Sequence, residues 1–365
     1  MKEDALAETL PEAGLAGGGS GTTAPMKDAK ALLLGKVLKG QYRIDQELGQ
    51  GAMGIVFRGT QLQLGKPVAI KMLRPDGFHG QSALDRFQRE ATLVSKLVHP
   101  SIAQVLDFGV EDGTPFLVME FVDGKELTDV LELEGPMPPI RAIAILRQLA
   151  SALEEAHKQG VVHRDIKPHN LRLMRYSPGG QIFLKVLDFG IAKQLSESNE
   201  GEKLTATGAV MGTPAYMSPE QAGGHKLDAR ADQYATGIVL YELLTGTVPF
   251  TGQTMTGVIV SHLTKPPPGL PASVPEPLRR ITMRLLSKDP KDRFADAAAL
   301  DRALAEAEES CRSAAPLSRG KVKPLEVGGV RGPNAELRRT LLLGGGTIFF
   351  AGAHSQLHIV GKALF

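Results

Sequence analysis

Near residue 125 the period of the apolar residues changes, and that change limits the chain to a fold with two unlike parts. Before it, "YRIDQELGQGAMGIVFRG" (42–59) reads as strand, Gly-rich turn, strand. "KPVAIKML" (66–73) alternates, with Val68, Ile70 and Met72 on one face and Ala69, Lys71 and Leu73 on the other. "SIAQVLDFGV" and "TPFLVMEFV" add further strand. One helix interrupts them, in "SALDRFQREATLVSKLV", with Leu84, Phe87, Ala91, Val94 and Leu97 as its apolar stripe. Glu90 falls inside that stripe. It is either a carboxylate at the stripe's rim or one aimed at the protein, and the second requires a cation.

After 125 the pattern is helical. "PPIRAIAILRQLASALEEAHKQG" opens on proline and closes on Gly160. "ADQYATGIVLYELLTG" is apolar nearly all round, the mark of a helix inside a large core. "PEPLRRITMRLLSKDPKDRF" and "ADAAALDRALAEAEES" supply two more helices. The fold class expected is α+β, a small β-rich N-lobe followed by a larger helical C-lobe over residues 39–308.

The flanks differ in composition. Residues 1–38 include "AGLAGGGSGTTAP" and are expected to form a disordered tail. Residues 309–337 read as a linker. In the C-terminal tail, 338–365, Thr340 to Gly361 contains no Asp, Glu, Lys or Arg, but His354, Ser355, Gln356 and His358 interrupt it. We read it as a segment packed on protein, with weak membrane contact as the alternative.

Lys plus Arg number 42 against 40 Asp plus Glu, so the net charge is +2 and argues against a nucleic-acid partner. The single cysteine, Cys311, excludes an internal disulfide and fits a reducing compartment. The acidic N-terminus lacks a secretory pattern, so a cytoplasmic location is expected, or membrane association through the tail.

Chemistry-bearing residues then occur in a fixed order. The glycines of "GQGAMG" (Gly49, Gly51, Gly54) let backbone approach a phosphate, and successive N–H groups can solvate it. Lys71 and Glu90 follow. "HRDIKPHN" offers Asp165 as a general base for a hydroxyl proton, Lys167 as positive charge and Asn170 as an amide oxygen for a hard cation. "VLDFG" adds a second metal-competent carboxylate, Asp188. Each has an ordinary reading as a turn or surface residue; their joint order and spacing do not.

This set resembles the eukaryotic-like (Hanks-type) serine/threonine protein kinases of bacteria. The resemblance runs over about residues 42–302, through "GQGAMGIV", "VAIK", Glu90, "HRDIKPHN", "DFG", "GTPAYMSPE", "DARADQY" and "DPKDRF". It implies ATP with magnesium, or manganese, and protein substrates, and it is compatible with a homodimer. By the same resemblance, Gly49, Gln50, Gly51, Ala52, Met53, Gly54, Ile55 and Val56 cover the ATP phosphates, and Leu48 belongs to the ATP-binding set. Lys71 contacts the α- and β-phosphates and pairs with Glu90. Met119 stands as gatekeeper, Glu120 to Val122 as the adenine-binding hinge, and Ala69 packs on adenine. Asp165 and Lys167 are catalytic; Asn170 and Asp188 hold the metal. Asp232 braces the catalytic loop, and Glu220 pairs with Arg293. Arg164 implies control by activation-loop phosphorylation, with Thr205 and Thr207 as acceptors. Thr213 bridges Asp165 and Lys167, which favours Ser/Thr as the substrate hydroxyl.

Two positions depart from the family pattern. Ser218 replaces an alanine. Arg172 replaces the apolar residue under adenine: with Leu171 and Leu173 sharing the inward face of a strand, Arg172 is turned toward the nucleotide. A signalling pseudokinase would be favoured by loss of Lys71, Asp165, Asn170 or Asp188, all of which are present. A small-molecule kinase is disfavoured by the substrate-docking segment "GTPAYMSPE".

Overall fold

The structure, a computed structural model, describes residues 33–51, 54–74, 81–175, 182–189 and 214–314. Its N-terminal part is a six-stranded antiparallel sheet. The strands are β1 (Val37–Leu38), β2 (Tyr42–Gly51), β3 (Gly54–Gln61), β4 (Lys66–Leu73), β5 (Val105–Glu111) and β6 (Thr114–Glu120), in the order β1-β2-β3-β4-β6-β5. The alternation in β4 has the expected consequence. Val68, Ile70 and Met72 enter a small core with Leu38, Ile44, Phe57, Phe116 and Val118, which leaves Ala69 and Lys71 on the other face. Helix α1 (Gln81–Ser95) packs beside β5, with Phe87 and Ala91 fully buried.

A short antiparallel sheet lies where the two parts meet: β7 (Lys125–Glu126), β8 (Leu171–Arg175) and β9 (Ile182–Val186). The rest is helical: α2 (Leu127–Glu134), α3 (Pro139–Lys158), α4 (Pro219–Ala222), α5 (Arg230–Thr245), α6 (Met255–Thr264), α7 (Glu276–Leu285) and α8 (Ala297–Ala314). Helix α5 is buried on every side, as its sequence requires, and stops at Gly246, whose φ of 78° ends the helix in a left-handed turn.

Both ends of the folded region lie outside the 39–308 expected from composition. Leu38 is fully buried and β1 pairs with β2, because the small sheet needs that apolar residue to close its core. At the other end α8 continues to Ala314. Arg147 of α3 holds both Asp301 and Glu308 at 2.9 and 3.1 Å, and Cys311 packs on the core, so the helix outruns its apolar pattern. The remainder of the expected N-terminal tail, the rest of the linker and the apolar C-terminal segment lie outside the described residues. Among the described residues no helix is long and apolar enough to cross a membrane.

Candidate active site

A cavity of about 400 Å³ opens between the six-stranded sheet and the helical part. Its roof is Leu48, Gly49, Gln50, Gly51, Gly54 and Val56 of the β2–β3 hairpin with Ala69 and Lys71 of β4. Its back is Met119 to Val122, where the chain leaves β6. Its floor carries Asp165, Lys167, Asn170, Arg172 and Asp188. The glycines differ in function. At Gly54 a Cβ would lie 2.0 Å from the Met72 carbonyl, so the hairpin could not close on β4 with any side chain there. At Gly49 and Gly51 a Cβ would meet nothing within 4 Å; there the absent side chain leaves backbone open to the cavity.

Most of the expected residues therefore converge. Ile55 does not, because β3 alternates: Gly54 and Val56 face the cavity while Ile55 packs on the small core. Glu90 does not line the cavity either. Lys71 Nζ lies 3.0 Å from Asp188 Oδ2, and Glu90 is half-buried with no ion pair to Lys71 among the described residues. The lysine is nearly enclosed and takes the carboxylate within reach; Asp188, in a left-handed backbone conformation (φ 54°), supplies it. In this conformation the pair expected between Lys71 and Glu90 is not made. Ala52, Met53, Thr205, Thr207 and Thr213 lie outside the described residues.

The loop at 163–170 is held by buried polar groups. Lys167 Nζ lies 2.9 Å from Asp165 Oδ2. Asn170 Nδ2 donates to the Asp165 carbonyl at 2.7 Å and to its Oδ2 at 3.1 Å, which leaves Oδ1 as the amide's acceptor. Asp232, projecting from α5 and 1% exposed, accepts from the His163 and Arg164 N–H groups, each at 2.8 Å. His157 Nε2 lies 2.8 Å from the same carboxylate. Burial pushes the Asp232 carboxyl up, but the hydrogen bond and charge of His157, with His163, outweigh it and leave it below the usual range. Burial likewise holds the His163 imidazole below its ordinary value.

Arg172 takes the position expected from its strand. Leu171 and Leu173 are buried, and Arg172 faces the cavity. Its guanidinium is not bare. Nη1 donates to the Gly124 carbonyl at 3.0 Å and Nη2 to Glu126 Oε1 at 3.2 Å. Glu126 is its Cα partner in the β7–β8 register, so the partner comes from strand pairing and carries no signal along the chain.

Below the cavity, Arg293 and Glu220 form a buried bidentate pair at 2.7 and 2.9 Å. Ser218, the departure from alanine, is fully buried and caps α4. Its Oγ accepts from Gln221 N at 3.3 Å, and its own N–H donates to Gln221 Oε1 at 3.0 Å. The spacing Ser-x-x-Gln is a capping-box signature legible in the sequence. Ala103, Glu126, His169 and Leu187 also line the cavity; His169 and Leu187 do so as the chain neighbours of Asn170 and Asp188, while Ala103 and Glu126 arrive from separate stretches of chain that no spacing marks.

A nucleotide with a divalent cation suits this lining. The cavity's size lies within the range of small-molecule sites. Val56, Ala69, Met119 and Val122 make its inner end apolar, and Lys71 and Lys167 stand where an anion would lie. Among the described residues no cluster of three or more His, Cys, Asp or Glu could hold a metal alone. Asp188 and Asn170 would instead supply one carboxylate and one amide oxygen, the sparse protein share of a cation that also binds phosphates.

Comparison with known proteins agrees with that arrangement. Residues 42–304 match the family model described as the protein kinase domain. The chain is 44% identical over 274 residues to serine/threonine-protein kinase pkn3 of Myxococcus xanthus, covering 73% of this chain and 50% of that protein. It is 39% identical over 266 residues to serine/threonine-protein kinase PrkC of Bacillus subtilis, covering 72% of this chain and 40% of that protein. The chain thus spans half the length, or less, of these relatives. Among solved structures it is similar to a singly substituted form of the Mycobacterium tuberculosis PknI kinase domain, with a TM-score of 0.59, 29% identity, and 75% and 98% of the two chains covered. The two-lobed fold, the cavity between the lobes and the match over 42–304 agree: the chain belongs to the protein kinase domain family.

Proposed function

We propose that this chain is a protein serine/threonine kinase that transfers the γ-phosphoryl group of ATP to Ser or Thr hydroxyls of proteins in bacterial signalling. The observation that carries the reading is the convergence of Lys71, Asp165, Lys167, Asn170 and Asp188 on one cavity beneath a Gly-rich hairpin. Asp165 accepts the proton of the acceptor hydroxyl as its oxygen bonds to phosphorus and the β-phosphate oxygen leaves with ADP. Lys167, 2.9 Å from Asp165, places positive charge beside that carboxylate, where the transferring phosphoryl group must come. Asn170 and Asp188 would hold a divalent cation, magnesium by preference, which would supply positive charge against the phosphates. Lys71 exchanges Asp188 for nucleotide phosphate and Glu90 when the site is engaged.

Thr205 and Thr207 are the proposed autophosphorylation sites, with Arg164 the cation that receives their charge. The kinase part works in the cytoplasm, and the C-terminal segment governs any membrane contact. The test is purified protein with labelled ATP, magnesium or manganese and a generic protein acceptor, followed by phosphosite mapping. Absence of label on acceptor and protein alike would overturn the reading; label on tyrosine alone would overturn the Ser/Thr assignment.

A further inference from the structure

Arg164, the residue before Asp165, has a φ of 64°. A residue with a Cβ stays in that left-handed region only when its surroundings hold it there. Both flanking peptide groups are held. The Arg164 N–H donates to Asp232 Oδ1 at 2.8 Å. The peptide joining Arg164 to Asp165 is fixed at both poles: its N–H donates to His163 Nδ1 at 3.2 Å, and its carbonyl accepts from Gln221 Nε2 at 2.9 Å. The plane of that peptide sets the direction in which the Asp165 side chain leaves the backbone. Gln221 is the member of this set that comes from outside the catalytic loop and α5. It sits on α4, next to Glu220, in the segment that follows Pro214–Tyr216.

The two ends of the Gln221 amide do different things. Oε1 accepts from the Ser218 N–H and completes the cap of α4. Nε2 reaches across to the catalytic loop. The cap requires only the acceptor, and glutamate serves as well as glutamine there. The donor is extra to the cap. We propose that Gln221 is a positioning residue for phosphoryl transfer: through its Nε2–H it fixes the Arg164–Asp165 peptide and so aims the Asp165 carboxylate at the acceptor hydroxyl. The inference rests on reading Asp165 as the proton acceptor.

Gln221→Glu separates the two ends. It keeps the acceptor for Ser218 N–H and replaces the donor with lone pairs facing the Arg164 carbonyl. We expect Tm to stay within a few degrees, KM for ATP to stay within about twofold, and kcat to fall roughly 10–100-fold, the scale of a small misplacement of a reacting group. The position is half-buried, and the facing carbonyl, chiefly, raises the pKa of the introduced carboxyl; once protonated it can donate again. The kcat deficit relative to the parent should therefore shrink as pH is lowered from about 8 to 6, which a helix-capping role would not produce. Gln221→Met removes donor and acceptor without adding charge; it should lose kcat similarly, with no recovery at low pH. Unchanged kcat in either variant, or a Gln221→Glu deficit independent of pH, would overturn the proposal. Asp165→Asn, assayed alongside, tells the two failures apart: if it retains near-parental turnover, the reading of Asp165 has failed and the proposal falls with it.

Discussion

Replacing Arg293 with leucine removes a guanidinium with no exposed side-chain surface and strands everything that it binds. Glu220, 9% exposed, loses both members of a bidentate pair at 2.7 and 2.9 Å. The carbonyls of Arg230, Ser287 and Lys288, at 2.7, 3.0 and 3.3 Å, lose their donor, and the Tyr234 ring loses the cation 4.9 Å from its centroid. Breaking a buried pair from one side costs about 3–5 kcal/mol, because the remaining charge stays buried alone. Glu220→Gln also leaves a buried charge without its partner, but it is milder: one amide oxygen and the three carbonyls still accept from Arg293, so the loss falls at the low end of that range, about 3 kcal/mol. At about 2–4 °C per kcal/mol for a domain of this size, Arg293→Leu should lower Tm by about 6–20 °C. The chain has no tryptophan, so unfolding is best followed by circular dichroism in a urea series. A loss below about 1 kcal/mol for Arg293→Leu, or a Glu220→Gln loss that exceeds it, would mean that the buried pair does not hold the helical part together.

Asp165→Asn should fold and bind ATP normally while losing roughly 10²–10⁴-fold in transfer rate, read by autophosphorylation. In Arg172→Met the stem is kept and the charge removed; because the guanidinium is already tied to Gly124 and Glu126, KM for ATP should change less than about twofold, and a several-fold rise with unchanged kcat would show that the guanidinium itself binds nucleotide. A double-mutant cycle on Lys71 and Asp188, read as thermal stability without nucleotide, should show coupling, whereas the Lys71–Glu90 cycle should show it only in ATP turnover. His262 is held down to about 4 by burial and by Lys288. It is neutral when folded and takes up a proton on unfolding below its ordinary pKa of about 6.5. Its contribution, on the order of 3 kcal/mol, is complete above that value and lost as pH falls from about 6.5 to 4. His262→Asn should flatten that slope in urea titrations, and an unaltered slope would assign it to other groups.

The division into a β-rich and a helical part, the face of β4 that carries Ala69 and Lys71, the buried helix α5 and the order of the cavity's polar residues are all legible along the chain. These follow from periodicity and local spacing, which the chain carries in one dimension. The same periodicity turns Arg172 toward the cavity, since Leu171 and Leu173 must share the buried face. What Arg172 does there was decided by tertiary structure: Glu126 lies 46 residues away and meets it only through the β7–β8 register. The partner of Lys71 was decided in the same way, because Asp188 and Glu90 lie on different elements and the distance after folding, 3.0 Å to Asp188, selects between them. The Gln221 side chain joins both cases: its cap to Ser218 is three residues long and legible, while its bond to Arg164 spans 57 residues and exists only once α4 has packed against the catalytic loop.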